Sequence, residues 1–427
     1  LNVTAKPLKG LKGEIKIPGD KSISHRAAMI GSISNGITVA RNFLMGEDCL
    51  CTVKAMQSMG IDIEVDRSKV TIYGKGLKGL EAPKEDIYLG NSGTSMRLMA
   101  GILAGQNFSS VLTGDNSLSK RPMKRIVDPL KKMGANIRTR GSDFYAPIKI
   151  QGGKLKAISY RTPVASAQVK SCILLAGLYA EGTTQVVEPY ISRDHTERML
   201  SFFGAEVKRD GLTAAVSPGR DLRSKEFYVP SDISSAAFFI VLALITRDSE
   251  IFMRSVGMNP TRSKILDVLT RMGGSITVKR NNDEGLEPTC ELKVKSSGLK
   301  ATVIKREEIA QLIDEIPIIC VAASRAEGVT AIKGVEELRV KETDRIHSIV
   351  DNLSRMGVDI KAAGNDLVIN GSKKDLNACM LESYGDHRTA MSMAVASGVA
   401  KAECKIKDVD CVDTSFPGFF ETLKGLG

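Results

Sequence analysis

Six short stretches of this chain set hydroxyls, amides and charges where an extended run gives way to an apolar one. They are Gly19-Asp20-Lys21-Ser22, Gly90-Asn91-Ser92-Gly93-Thr94, Ser166-Ala167-Gln168, Ser231-Asp232-Ile233-Ser234, Asp314-Glu315-Ile316-Pro317 and Gly385-Asp386-His387-Arg388. In the first, the alternation of Glu14 to Ile17 predicts a strand, and Ala27 to Gly31 opens an apolar helix. The corner is then a helix N-terminus, with unbonded backbone N–H groups and the positive end of the helix dipole. Lys21, Ser22 and Arg26 add two cations and a hydroxyl, a combination suited to an anionic small molecule. One such corner is explained as well by a capped helix with a solvated basic first turn. Recurrence shifts the balance towards a site.

The elements that carry these corners also recur. A helical stretch ending in Met or Phe, then Gly, then an alternating run appears at Met59-Gly60, Met133-Gly134, Phe203-Gly204, Met272-Gly273 and Met356-Gly357. The glycines lie 69 to 84 residues apart. Glycine just past a helix takes the left-handed cap without penalty. Five copies at a near-constant period imply duplicated repeats. The sixth corner, at Gly385, is followed by a helix and a glycine at Gly425 but by no closing strand. Leu11 to Ile17 is strand material without a repeat, so it is expected to complete the sixth. Six strand–helix–strand–helix–strand repeats then group three and three. One domain is expected at 21–230 and the other at 1–20 plus 231–427, with a hinge near 20 and 230. Helix N-termini gathered in the gap would focus a positive field there. The cleft should stand open when empty and close on an anionic ligand.

Composition narrows the partners. The 427 residues, 42% hydrophobic and 26% charged, fit a globular protein with a large core. No apolar run reaches about 18 residues, so no membrane partner is expected. Leu1 to Thr4 has no basic-then-apolar leader pattern. The net charge of +11 comes from scattered Lys and Arg with acids between them, and there is no Trp to stack on bases. Anionic small molecules fit better than nucleic acid. The eight cysteines form no C-x-x-C pair and several sit in apolar runs, which reads as reduced thiols in the cytoplasm. The four histidines lack metal-ligand spacing. No metal and no cofactor are expected, and a monomer is expected.

The ordered motifs resemble the 5-enolpyruvylshikimate-3-phosphate synthase family over essentially the whole chain. They are GDKSISHRA from Gly19, LGNSGTSMRL from Leu89, KRPM from Lys120, ASAQVKS from Ala165, SRDHTERM from Ser192, IDEIP from Ile313, RVKETDR from Arg339 and GDHRTAM from Gly385. The resemblance implies a two-domain inside-out α/β barrel of six βαβαβ-type repeats, three per domain, with the N-terminal strand in the second. It also implies transfer of the enolpyruvyl group of phosphoenolpyruvate to the 5-hydroxyl of shikimate 3-phosphate, with release of phosphate.

Residue roles follow from the same resemblance. Ser22 and Arg26 would hold the shikimate carboxylate. Ser166, Gln168 and Ser192 would hold shikimate 3-phosphate, with Lys341 and Glu337 near it and Lys21 and Asp314 also in contact. Lys21, Gly93, Arg121, Gln168, Arg345 and Arg388 would grip phosphoenolpyruvate, with Asn91, Thr94, Ala167 and His387 as neighbours. Arg forks suit such doubly anionic substrates. Lys21, Asp314 and Glu342 are the candidates for catalysis, and Asp314 and Glu342 for proton transfer in an addition–elimination. Lys341, Glu342 and Arg345 fall on about one helical turn, where Glu342 and Arg345 can pair. The family's inhibitor glyphosate occupies the phosphoenolpyruvate pocket, and alanine at the Gly93 position is linked to tolerance.

The chain departs from the family pattern at three places. Ala167 stands where many members have a second serine, Asp413 where some have lysine, and Glu337 where some have asparagine. Two other functions fit the sequence less well. A sister enzyme transfers enolpyruvyl to a UDP-amino sugar, but it uses a reactive cysteine, and Thr113 to Arg121 has none. A non-catalytic polyanion binder would need basic blocks that the chain lacks.

Overall fold

Side chains at the corners start the helices expected there. Asp20, Ser92, Ser166, Asp232 and Asp386 each accept a backbone N–H from the first turn of helices Lys21–Ser32, Gly93–Ala104, Ala167–Gly177, Ile233–Ile245 and His387–Ser397. The fifth helix, Ile316–Ser324, begins at Glu315 without a side-chain cap and carries Pro317 in its first turn. The structure is a computed structural model that describes residues 1–142, 144–281 and 286–426.

The chain forms two compact units, Gly19–Val229 and Leu1–Pro18 with Pro230–Gly427. In the second unit, every residue of Ile233–Ile245, Ile316–Ser324 and His387–Ser397 is buried. These three helices pack against one another. A helix apolar on all sides must lie inside, so the sheets lie outside it. The first unit repeats the arrangement: Lys21–Ser32 and Ala167–Gly177 both pack on or near Gly93–Ala104, and all three are largely buried.

Five four-stranded sheets share one strand order. In the second repeat, Ile87–Tyr88 runs parallel to Ser109–Thr113 across a helix. Tyr145–Gln151 then joins antiparallel to Ser109–Thr113, and Asn136–Arg140 pairs antiparallel on its far side. A helical crossover followed by a hairpin produces this order. The structure thus adds one strand to the βαβαβ pattern of the full repeats. All five cap glycines adopt positive φ, from 81° to 97°, as the left-handed cap requires.

The expectation for the N-terminal strand is corrected. Lys12–Ile15, within the expected Leu11–Ile17 segment, joins the fourth repeat, parallel to Glu250–Gly257. The sixth sheet is closed by Val3–Ala5, antiparallel to Cys404–Lys407. The reason is an exchange. Glu226–Tyr228, which precedes the fourth corner, pairs with Asn35–Arg41 of the first repeat. That leaves the edge of Glu250–Gly257 open for the strand that precedes the first corner. Each compact unit therefore holds the leading strand of a helix in the other.

Candidate active site

At the first corner of the first unit, the start of the corner helix lies beside the start of the helix that follows. Lys21 opens its helix and pairs with Asp48 at 2.5 Å, a residue in the first turn of Glu47–Ser58. Arg26 is almost wholly buried. It donates to Thr196 Oγ1 at 2.7 Å, Ser171 Oγ at 2.8 Å and the Ser22 carbonyl at 2.9 Å. The guanidinium thus ties the first and third repeats together beside Ser22. His25, one position before it, is buried against Thr52 Oγ1 at 2.7 Å. Burial, then Lys21 and Arg26, hold the imidazole well below its usual pKa against the pull of Asp20, so the ring is neutral.

The second corner is built around Gly93. Its φ is ordinary and it is the first residue of Gly93–Ala104, so the backbone itself does not demand glycine. A Cβ there would stand 2.7 Å from Arg97 Nη1 and 3.2 Å from Arg121 Nη1. The missing side chain leaves space in front of two guanidinium groups. Arg121 donates to Asn91 Oδ1, and Asn91 donates to Asp115 Oδ2 at 2.8 Å. Gln168 links corners two and three: it accepts from Arg97 at 2.7 Å and donates to Thr94 Oγ1 at 3.0 Å.

At the third corner Ser166 accepts from the Val169 N–H at 3.4 Å, a long bond that leaves the hydroxyl easily turned. Ala167 opens the helix and contributes only a backbone N–H there. Ser192 is 2% exposed, and among the described residues its Oγ has no hydrogen-bond partner. A buried hydroxyl in that condition calls for an explanation, since most such groups find a partner. Arg193 follows it, half-buried, with Nε and Nη2 shielded from solvent.

In the second unit the candidates gather around Arg345, which is 1% exposed. Its Nε donates to Asp386 at 2.7 Å, its Nη1 to Asp314 at 3.1 Å and its Nη2 to Glu342 at 2.6 Å. Burial lowers the Arg345 pKa, but Asp386, Glu342 and Asp314 outweigh it and hold the guanidinium above its ordinary value. Arg388 reaches the same acid, donating to the Asp314 carbonyl at 3.2 Å. His387 is buried beside it at the start of its helix. Burial draws Lys341 below the usual lysine pKa, and Arg345 adds to this. Asp314, Glu342 and Glu337 oppose that shift.

One expectation here is corrected. Lys341 and Glu342 do not share a helical turn with Arg345. Asp344 caps the helix Arg345–Arg355 by accepting from the Ile346 and His347 N–H groups, so the helix starts only at Arg345. Lys341 is extended and follows the 3₁₀ turn Glu336–Val340. The Glu342–Arg345 pair still forms, through the loop.

The candidate residues therefore divide. Lys21, Ser22, Arg26, Asn91, Gly93, Thr94, Arg121, Ser166, Ala167, Gln168 and Ser192 lie in the first unit. Asp314, Glu337, Lys341, Glu342, Arg345, His387 and Arg388 lie in the second. Sequence reasoning missed Asp48, Arg97 and the role of Asp386. Arg97 sits four residues after Gly93, on the same helix face, and that spacing alone marked it. Asp386 is both a helix cap and an Arg345 partner, and nothing local to it announces the second task.

Comparison with known proteins decides the family. The family model described as EPSP synthase (3-phosphoshikimate 1-carboxyvinyltransferase) matches residues 5–423. The chain belongs to the EPSP synthase family. A 3-phosphoshikimate 1-carboxyvinyltransferase of Citrifermentans bemidjiense is 52% identical over 425 residues, covering 100% of this chain and 99% of that protein. A protein of the same name from Bacillus cereus is 50% identical over 417 residues, covering 98% and 97%. The solved EPSP synthase of Acinetobacter baumannii is 45% identical, with a TM-score of 0.89 over 100% of this chain and 98% of that one. The two-domain inside-out α/β fold of the EPSP synthases is the fold of this chain.

Proposed function

We infer that the first unit holds shikimate 3-phosphate and that the acids around Arg345 in the second unit serve proton transfer. The chain is a 3-phosphoshikimate 1-carboxyvinyltransferase of the shikimate pathway. Ser166, Gln168 and Ser192 take shikimate 3-phosphate, with Ser22 and Arg26 at its carboxylate. Lys341 and Glu337 are assigned to contacts with the same substrate. Lys21, Gly93, Arg121, Arg345 and Arg388 take phosphoenolpyruvate. The observation that carries this reading is Arg345 with Asp386, Asp314 and Glu342 on three sides, a fixed array of carboxylates around one cation.

The reaction balances without an oxidant. The methylene carbon of phosphoenolpyruvate takes a proton, and the 5-hydroxyl oxygen bonds to the neighbouring carbon as its own proton passes to a base. The carbon–oxygen bond to phosphate then breaks while the new methyl returns a proton, restoring the double bond. Asp314 and Glu342 are the acids assigned to these proton transfers, and the cations would stabilise charge on phosphate as it leaves. All eight cysteines are free thiols, which suits the reducing cytoplasm. Among the described residues no helix is long and apolar enough to cross a membrane.

The test is phosphate release from phosphoenolpyruvate. It should require shikimate 3-phosphate and persist with a chelator present. Equal turnover with UDP-N-acetylglucosamine as acceptor would overturn the reading.

Gly93 gives a second expected result. Since its φ is ordinary, Gly93→Ala should fold normally, and the added methyl should displace the Arg97 and Arg121 tips. Shikimate 3-phosphate binding should hold, while glyphosate, bulkier than phosphoenolpyruvate, loses more. The ratio of glyphosate inhibition constant to phosphoenolpyruvate KM should rise by about tenfold, the scale of one misplaced contact. A ratio that stays level or falls would show that the glycine is no steric gate.

A further inference from the structure

Helix Ala167–Gly177 carries a buried charge that no step of the reaction uses. Lys170 is 3% exposed, on the first turn after Ser166. Its ammonium lies 2.7 Å from Glu188 Oε2 and 2.8 Å from Glu197 Oε1, both acids being equally buried. It also donates to the Ser192 carbonyl at 3.4 Å. Glu188 follows strand Thr184–Val187, and Glu197 is in the first turn of helix His195–Phe202. One ammonium thus clamps both ends of the segment 188–197 to the helix that Ser166 caps.

An ammonium facing two carboxylates is not a surface ion pair. Burial works against its charge, but Glu197 and Glu188 outweigh that and hold its pKa above the usual lysine value. Without it, two buried acids of like sign would face each other across the same space. Segment 188–197 would keep its tie at Thr196, which donates to Ser171 Oγ at 2.6 Å, but the stretch between Glu188 and Glu197 that carries Ser192 would shift from the helix. The Ser192 hydroxyl, buried and unbonded among the described residues, takes its place from this segment.

We propose that Lys170 is a positioning residue for phosphate recognition, setting the spacing between the Ser166 and Ser192 hydroxyls through Glu188, Glu197 and the Ser192 carbonyl. The proposal rests on the assignment of Ser166 and Ser192 to shikimate 3-phosphate. It accounts for how a site with Ala167 in place of a second serine keeps a defined phosphate geometry: the clamp substitutes fixed placement for an extra hydroxyl.

The experiment is calorimetric titration of shikimate 3-phosphate into wild type, Lys170→Met and Glu188→Gln, with steady-state kinetics on each. Failure of the wild type to bind would sink the assignment of the substrate itself, separately from the clamp. Given wild-type binding, Lys170→Met should raise the shikimate 3-phosphate Kd and KM about tenfold. Its phosphoenolpyruvate KM and kcat, measured at saturating shikimate 3-phosphate, should stay within about twofold of wild type. Glu188→Gln keeps the ammonium paired with Glu197, so it should fold and show a smaller change in the same direction. If Lys170→Met does not fold, Glu188→Gln decides. A folded variant with unchanged shikimate 3-phosphate affinity, or one that weakens both substrates equally, would show that Lys170 only stabilises the fold.

Discussion

Arg345→Met is expected to destabilise the second unit by about 3–5 kcal/mol, the range for removing one partner of a buried ion pair. The side chain is 1% exposed and holds three carboxylates at 2.6 to 3.1 Å. Methionine fills much of the space but removes the cation that Asp386, Asp314 and Glu342 share, leaving Arg388, 3.4 Å from Asp314, as a weaker counter-charge to one of them. Asp386 also caps helix His387–Ser397, accepting from Arg388 N–H at 2.8 Å, so its displacement should fray the start of that helix. Arg345→Lys should be intermediate, since one ammonium cannot serve three partners in the geometry of a planar fork. Mild acid, which neutralises carboxylates, should recover part of the loss in the methionine variant. Turnover should fall by at least about a hundredfold, because the same acids are assigned to proton transfer. Denaturation followed by circular dichroism reads the stability, as there is no Trp to report it. A methionine variant as stable as wild type would show that the three acids are not held by Arg345.

Much of the fold was legible because its signals are local. Helix caps at Asp20, Ser92, Ser166, Asp232 and Asp386 act within three residues, and the cap glycines impose their conformation alone. Strand partners are a different matter. Lys12–Ile15 alternates in a way that fits several sheet edges, and only the removal of Glu226–Tyr228 to another sheet selects one of them. Pairing is decided by which edge stays open, which no window of sequence contains.

The candidate site divides along the same line. The Glu342–Arg345 pair is visible at a spacing of three, although a loop rather than a helix presents it. The Asp314 and Asp386 partners stand 31 and 41 residues from Arg345 and emerge only in the folded unit. Lys170 appeared inside a recognised motif, yet its acids at 188 and 197 lie in later elements, and apolar burial gave no hint of them. Gly93 was recognised, but choosing between a turn requirement and close approach needed its φ and the two arginine tips.

The acids themselves carry the central claim. Asp314 accepts from Arg345 and lies 3.4 Å from Arg388 Nε, and Glu342 accepts from Arg345 as well. If they exchange protons with substrate, Asp314→Ala and Glu342→Gln should lower kcat by about a hundredfold or more. Glutamine keeps the shape and one acceptor oxygen, so it tests the proton rather than the packing. Shikimate 3-phosphate is assigned mainly to residues of the first unit, and its binding should largely survive Glu342→Gln. The decisive measurement is kcat of Glu342→Gln at saturating substrates, beside its calorimetric Kd for shikimate 3-phosphate. The account predicts kcat down by about a hundredfold or more with Kd within about threefold of wild type. Near-normal kcat would contradict it and leave Glu342 as no more than a partner that steadies Arg345.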